Sequence, residues 1–140
     1  MAAAVLGCGL WFRGLWALQL FLVLLAYRLG VPGTDFVQGF LAEFIDSIRP
    51  VFFGFWLTYV AGYLVAASLY PSRPVAACAV YFLAGLLDFA LWLSASMFVS
   101  YEFILEGWAI ALDIGFNLLD LALFAALLTA AVRRAEHPRG

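Results

Sequence analysis

Four long apolar stretches separated by short polar segments dominate the chain. They cover residues 10–29, 51–70, 75–99 and 107–132. Each stretch is close to the roughly 20 residues that an α-helix needs to cross the hydrocarbon core of a bilayer. The pattern therefore predicts an all-α polytopic membrane protein, with four transmembrane helices in a single domain over residues 1–140.

The segment between the first two spans has an amphipathic pattern. Its apolar residues recur at helical spacing, and its polar residues lie away from that stripe. Pro50 should end the helix near Arg49, because the residue before a proline disfavours helical geometry. We expect a short outer helix over residues 35–48, either in the membrane interface or across the mouth of the bundle. The stripe consists of Phe36, Val37, Phe40, Leu41, Phe44, Ile45 and Ile48.

The composition agrees with a membrane protein and excludes several other classes. Hydrophobic residues make up 67% of the chain and charged residues 11%, and the mean hydropathy is +1.06, far from the values of soluble domains. The net charge of −2 provides no basic face for nucleic acid. All seven cationic residues are arginine. This lysine-free, Ala- and Leu-rich composition indicates a GC-rich genome and hence a bacterial inner membrane.

The positions of the arginines predict the orientation, because cationic residues are retained on the cytoplasmic side. The arginines assigned to that side are Arg13 at the start of the first span, Arg73 between spans two and three, and Arg133, Arg134 and Arg139 after span four. The opposite side holds Arg28 and Arg49 together with the acidic residues Asp35, Glu43, Asp46, Glu102 and Glu106. Both termini are therefore expected to be cytoplasmic.

Two spans carry small residues at helical spacing, a pattern that lets helix backbones approach closely in a membrane. In span two these residues are Gly54, Thr58, Gly62 and Ala66. In span four they are Gly107, Ala111, Gly115, Ala122 and Ala126. We expect both faces to contact another helix, either within the chain or in a second copy.

Carboxylates inside the apolar spans are the main candidates for function. In span four, Glu106, Asp113, Asn117 and Asp120 fall within about 60° of the helix surface, nearly opposite the small residues. At about 1.5 Å per residue, Asp88 and Asp120 lie roughly 16 and 20 Å below the outer ends of their spans. The two aspartates are therefore predicted to meet near the middle of the membrane.

These boundaries place every arginine at or near the end of a span, so the aspartates are left with uncharged partners inside the membrane. An ionised aspartate at a helix centre costs about 2.5–3.5 kcal/mol on insertion scales. Burial and mutual repulsion both favour the neutral carboxyl. We expect these groups to be protonated, to bind a cation, to line water or to face a cation from another chain. Tyr59 and Tyr63 lie deep enough to donate hydrogen bonds to them, although packing is their simpler role.

Two functions follow from such an imbalance. The first is a proton or cation pathway through an oligomeric bundle, in which oxygen ligands suit H⁺, Na⁺ or a hard divalent ion. The predicted pathway residues are Glu102, Glu106, Asp113, Asn117, Asp120 and Asp88. The second is an accessory subunit of a larger membrane complex, whose acids pair with a partner's Lys or Arg. In the structural alternative, Asp113 and Asp120 stay neutral and hydrogen-bond to neighbouring helices.

A third function comes from a local resemblance. The segment "FNLLD" at 116–120 resembles the Phe-Asn-x-Ala-Asp motif of bacterial lipoprotein signal peptidases. In "GLLD" at 85–88, Asp88 follows Gly85 where that family has Gly-Asn-x-x-Asp. The resemblance implies a four-span aspartyl protease in which Asp88 and Asp120 share a proton. Leu86, Phe89 and Leu119 stand where the family has Asn, Arg and Ala.

The sequence argues against other chemistries, and we expect no cofactor. The one histidine, His137, lies in the C-terminal tail, so it cannot bind haem within the bilayer. Cys8 and Cys78 are 70 positions apart and form no Cys-x-x-Cys motif. Apart from the protease that the resemblance implies, we expect no enzymatic activity.

Overall fold

The structure is a computed structural model that describes residues 2–38, 42, 45–98 and 107–136. Regular structure in these ranges is helical throughout. Within these ranges, four helices are long and apolar enough to cross a membrane, as the sequence predicts. They are α1 (Ala2–Arg28), α2 (Pro50–Leu69), α3 (Pro74–Phe98) and α4 (Gly107–Glu136).

The largest difference from the predicted boundaries is at the start of α1. This helix begins at Ala2 rather than near Leu10, because residues 2–9 are apolar and start with three alanines, the best helix former. Arg13 therefore lies about 16 Å into the helix, at about 1.5 Å per residue. The prediction that Arg13 flanks the first span was wrong.

Prolines and glycines set the helix ends. Pro50 and Pro74 each occupy the first position of a helix, where the missing N–H would have no intrahelical acceptor. After α1, Gly30 has a φ of 69°, and its N–H donates to the Tyr27 carbonyl at 2.9 Å. This left-handed cap ends α1. The turn between α2 and α3 spans only a few residues, so these two helices are antiparallel neighbours.

The helices pack in chain order. α1 packs on α2, α2 on α3 and α3 on α4, whereas α1 and α4 share a thinner seam. Lipid is as apolar as the side chains, so close packing and polar contacts hold such a bundle together. The largest fully buried side chains are Leu10, Ile45, Val60, Tyr63, Tyr81 and Leu127.

The small residues of α2 lie in two environments: one half of them packs against α3, and the other half is exposed. Ala66 is buried, and a Cβ added to Gly62 would lie 2.8 Å from the Ala84 Cβ of α3. The predicted helix partner of this half is therefore α3. Gly54 and Thr58 are exposed, and the Thr58 hydroxyl donates to the Gly54 carbonyl at 2.8 Å. The described small residues of α4 are also exposed, namely Ala111, Gly115, Ala122 and Ala126.

Substituting Gly62 with alanine should destabilise the bundle by about 1–3 kcal/mol, the usual cost of overpacking. The Ala84 Cβ is held to its backbone and cannot swing away, so α2 and α3 must separate. Gly54→Ala is the matched control, since nothing lies within 4 Å of its added Cβ. Reversible unfolding in mixed micelles measures both variants. Equal stabilities would contradict the close contact between α2 and α3.

The outer segment is partly helical. Residues 35–38 are not helical, with a turn at 35–36, so the predicted helix does not begin at 35. Residues 42 and 45–47 are helical, while Phe40, Leu41, Glu43 and Phe44 lie outside the described residues. Val37 and Ile45 are buried, and the Arg28 Nη1 bonds the Asp46 Oδ1 at 3.0 Å. This segment is therefore attached to the end of α1.

Candidate functional site

An ionic cluster of Arg13, Asp88 and Asp120 lies inside the bundle. Arg13 Nε donates to Asp120 Oδ1 at 2.8 Å, and its Nη2 donates to Asp120 Oδ2 at 2.9 Å. The same Nη2 donates to Asp88 Oδ2 at 2.7 Å. Two parallel bonds to one carboxylate are the strong geometry for arginine. Arg13 thus joins α1 to α3 and α4.

Two tyrosines complete the cluster. The Tyr81 hydroxyl donates to Asp120 Oδ1 at 2.6 Å. The Tyr63 hydroxyl oxygen lies 3.1 Å from Asp88 Oδ2 and 3.4 Å from Asp120 Oδ2, and its one proton can serve either. Tyr63 comes from α2, so all four helices contribute to the cluster. Because each charged group has several partners, the arrangement is fixed from several directions.

Aromatic rings cover the arginine. The guanidinium carbon of Arg13 lies 4.5 Å from the centre of the Tyr63 ring and 5.5 Å from that of Phe116, within range of cation–π attraction. Trp16 stacks on Phe116 with ring centres 5.1 Å apart, across the seam between α1 and α4. This stack and the Arg13–Asp120 bonds join α1 to α4, the pair of helices with the smallest mutual interface in the bundle.

The cluster corrects the electrostatic expectation from the sequence. Asp88 and Asp120 meet as predicted, but the expectation that no internal cation faces them is wrong. The Arg13 side chain is 9% exposed, against 24% for Asp88 and 21% for Asp120. The buried cation is therefore supplied by this chain itself.

The charges in the cluster do not cancel. With all three groups ionised, one arginine (+1) and two aspartates (−2) sum to −1. A single proton on either carboxylate makes the cluster neutral. Both aspartates bond the same Arg13 nitrogen, so a proton on one of them leaves the other paired with the cation. The cluster therefore has the capacity to hold one exchangeable proton.

The remaining predicted pathway residues are not part of the described cluster. Asn117 lies on α4 and is exposed. Asp113 lies on α4, but its side chain is outside the described residues, as are Glu102 and Glu106 entirely. In the described part of the chain, no group of three or more His, Cys, Asp or Glu side chains is placed to hold a metal ion.

Three members of the cluster were missed or left open by the sequence analysis. Arg13 was placed at the cytoplasmic end of the first span, although "AAAVLGCG" at 2–9 is apolar enough to extend the helix. Hydrogen bonding by Tyr63 was left open, and the structure shows it. Tyr81 was given no role, and although it lies seven residues or about two turns before Asp88 on the same face of α3, it bonds Asp120 instead.

Comparisons of the chain with known protein families, with curated proteins and with solved structures find no match. The assignment of a function therefore depends on the geometry of the cluster.

Proposed function

We propose that the protein is a membrane proton pathway in which the Arg13–Asp88–Asp120 cluster binds and releases one proton. The supporting observation is the shared arginine: one guanidinium bonds two carboxylates, leaving one negative charge at a buried position. Membrane-embedded acids of this kind commonly act in proton relays. The excess negative charge attracts a proton electrostatically. After the proton leaves, the bonds between Arg13 and the two carboxylates hold the site in the same geometry.

A proton fits the cluster better than a metal ion. Hard cations such as Ca²⁺ require about 6–8 oxygen ligands. Here both Asp120 oxygens accept bonds from Arg13, and the nearer Asp88 oxygen does too. A metal ion would also face the positive guanidinium at close range. We therefore narrow the predicted proton or cation pathway to protons.

The proposed route continues along α4 toward its N-terminal end. Asn117 lies about one turn from Asp120, and Asp113 about one turn further. Glu106 and Glu102 would form the outer mouth. Arg73, Arg133 and Arg134 outnumber Arg28 and Arg49 at the opposite ends of the helices, which supports cytoplasmic termini. We place the protein in a bacterial inner membrane on the same compositional grounds as above.

A homo-oligomer or a complex with other membrane subunits is part of the proposal. The exposed small residues of α4 and the exposed Gly54–Thr58 half of α2 support a close helix contact outside the chain. The accessory-subunit hypothesis assumed that the buried acids need a Lys or Arg from a partner. Arg13 already supplies that cation within the chain, so this assumption no longer supports it.

An intramembrane aspartyl protease is the second candidate. The observation in its favour is that Asp88 and Asp120, the two residues matched by the resemblance, contact the same Arg13 nitrogen. In a catalytic pair the two carboxyls share a proton directly, whereas here both accept hydrogen bonds from one guanidinium nitrogen. Cleavage of a lipoprotein precursor by the purified protein, lost in Asp120→Asn, would favour this candidate.

Proton flux into liposomes tests the pathway. A potassium gradient with valinomycin drives protons inward, and an enclosed pH-sensitive dye reports them. Vesicles containing the full chain should acidify faster than protein-free vesicles, and Asp88→Asn and Asp120→Asn should each abolish the excess rate. Asp35→Asn makes the same change in the exposed outer loop and should keep it. A wild-type rate equal to that of protein-free vesicles, or full activity in both cluster variants, would contradict the proposal.

A further inference from the structure

An apolar groove runs along the surface between α3 and α4 toward one end of the bundle. It has a volume of about 430 Å³ and extends from Phe82 and Phe124 to Val75 and Ala135. At about 1.5 Å per residue, this is about 10 Å along α3 and about 16 Å along α4. The hydrocarbon core of one leaflet is about 15 Å thick, half of that of a bilayer. The groove therefore extends through about the depth of one leaflet.

The walls of the groove suit a hydrocarbon chain. Among the described residues that line it, none is charged. Val75, Phe82 and Val132 are about half exposed, so the groove opens on the outside of the bundle, where lipid lies. An acyl chain is apolar and flexible, so it can follow a long recess and supply the van der Waals contacts that the walls lack.

Positive charge is concentrated at the end of the groove nearest the start of α3 and the end of α4. Arg73 immediately precedes α3, and Arg133 and Arg134 lie in the last turn of α4. All three arginines are exposed, and within the described residues none of them forms an ion pair. Glu136 ends α4, so three positive charges and one negative charge sum to +2. This end of the groove therefore attracts an anionic group.

The start of α3 adds backbone donors at the same end. Pro74 has no N–H, and the N–H groups of Val75 and Ala76 have no acceptor within the helix. The residue before the helix is Arg73, whose side chain has no acceptor with which to cap them. Such N–H groups and the positive end of the helix dipole favour a phosphate. The arginines and the start of α3 thus favour the same chemistry.

We propose that this groove binds one anionic phospholipid, with an acyl chain along the groove and the phosphate at its arginine-rich end. Arg73 lies two residues before the lining residue Val75, and Arg134 directly precedes the lining residue Ala135. The headgroup and the chain of one lipid can therefore occupy both parts at once. Basic pockets between transmembrane helices bind anionic headgroups in this way. The proposal is independent of the proton pathway, because it uses no residue of the ionic cluster.

Lipid titration of the full chain tests the proposal. Phosphatidylglycerol and phosphatidylcholine with identical acyl chains are added separately to the protein in mild detergent, and native mass spectrometry counts the bound lipids. Phosphatidylglycerol should saturate at one molecule per chain. It should bind at least about tenfold more tightly than phosphatidylcholine, since each arginine near a membrane surface contributes about fivefold. Glycerophosphoglycerol, the same headgroup without acyl chains, should not compete, because the groove holds the chain.

Charge variants test the arginine-rich end. The triple variant Arg73→Gln/Arg133→Gln/Arg134→Gln should reduce the preference for phosphatidylglycerol by about tenfold or more. The control Arg28→Gln/Arg49→Gln removes arginines at the opposite ends of the helices and should keep the preference. Circular dichroism verifies the folding of each variant.

A second pair of variants tests the groove itself. Ala79 is an exposed lining residue, so Ala79→Trp fills the groove without altering a charged group and should weaken the binding of phosphatidylglycerol. Ala90→Trp makes the same change at an exposed position of α3 outside the groove and should bind as wild type does.

Three results would overturn the lipid site. The first is equal affinity for the two lipids, or wild-type binding in both the triple arginine variant and Ala79→Trp. The second is competition by glycerophosphoglycerol, which would assign the arginines to a soluble phosphate. The third is a lower oligomeric mass of Ala79→Trp with unchanged lipid binding, which would assign the groove to a second copy. The ionic cluster is intact in every variant, so none of these results alters the test of proton flux.

Discussion

Replacing Arg13 with glutamine is expected to destabilise the folded protein by about 3–5 kcal/mol, the cost of removing one partner of a buried ion pair. The change removes three hydrogen bonds and leaves two carboxylates facing each other in a setting of low polarity. Typical total stabilities are about 5–15 kcal/mol. The variant should therefore unfold at a much lower denaturant concentration in mixed micelles.

An exposed ion pair at the end of α1 provides the comparison for Arg13→Gln. Arg28→Gln is the matched control, because Arg28 also pairs with an aspartate but is 33% exposed at the end of α1. Exposed pairs contribute about 0–1 kcal/mol. Equal losses in the two variants would contradict the placement of Arg13 inside the bundle.

The second large effect is expected when both aspartates are removed. Asp88→Asn and Asp120→Asn should each cost about 1 kcal/mol, because Arg13 keeps one carboxylate and the remaining pair is neutral. The double variant leaves the guanidinium without a counter-charge and should cost about 3–5 kcal/mol. The excess over the sum of the single changes measures the sharing of one arginine by two acids.

Single-variant losses that add to the double-variant loss would contradict that sharing. Unfolding free energies of the three proteins, measured in one micelle composition and at neutral pH, provide the comparison. Asp35→Asn serves as the control for the chemical change itself, since Asp35 lies in the exposed outer loop and should give wild-type stability.

The four helices and the meeting of two acids were predictable from the sequence. Span length and hydropathy are local properties, and a rise of about 1.5 Å per residue is enough to compare depths along antiparallel helices. Asp88 shares a face with Ala77, Tyr81 and Ala84, and these three are buried as the helical pattern predicts. The helical pattern alone was therefore enough to predict that this face of α3 points into the bundle.

The cation was not predicted, because its position depended on where α1 begins. Hydropathy alone sets the first span at the strongest apolar run, which puts Arg13 near its edge. A long arginine near a helix end ordinarily extends toward water. In the folded chain α1 starts eleven residues before Arg13, and the acids of α3 and α4 lie beside it. Whether the Arg13 side chain extends toward water or into the bundle is therefore determined by tertiary packing.

The partner of Tyr81 was also beyond the sequence. Tyr81 and Asp88 share a helix face, but its hydroxyl bonds Asp120 of α4 at 2.6 Å. Which neighbouring helix a long side chain reaches depends on the packing of α3 against α4. The outer segment differs for another reason, since residues 35–38 are not helical although the amphipathic stripe alone predicts a helix there.

The unfolding free energy of the triple variant Arg13→Gln/Asp88→Asn/Asp120→Asn tests the central claim most directly. If the three charges meet inside the bundle, removing all of them leaves no unpaired charge. The triple variant should then lose less stability than Arg13→Gln alone and less than the double aspartate variant alone. A loss equal to the sum of those two, about 6–10 kcal/mol, would contradict the claim, because independent sites add.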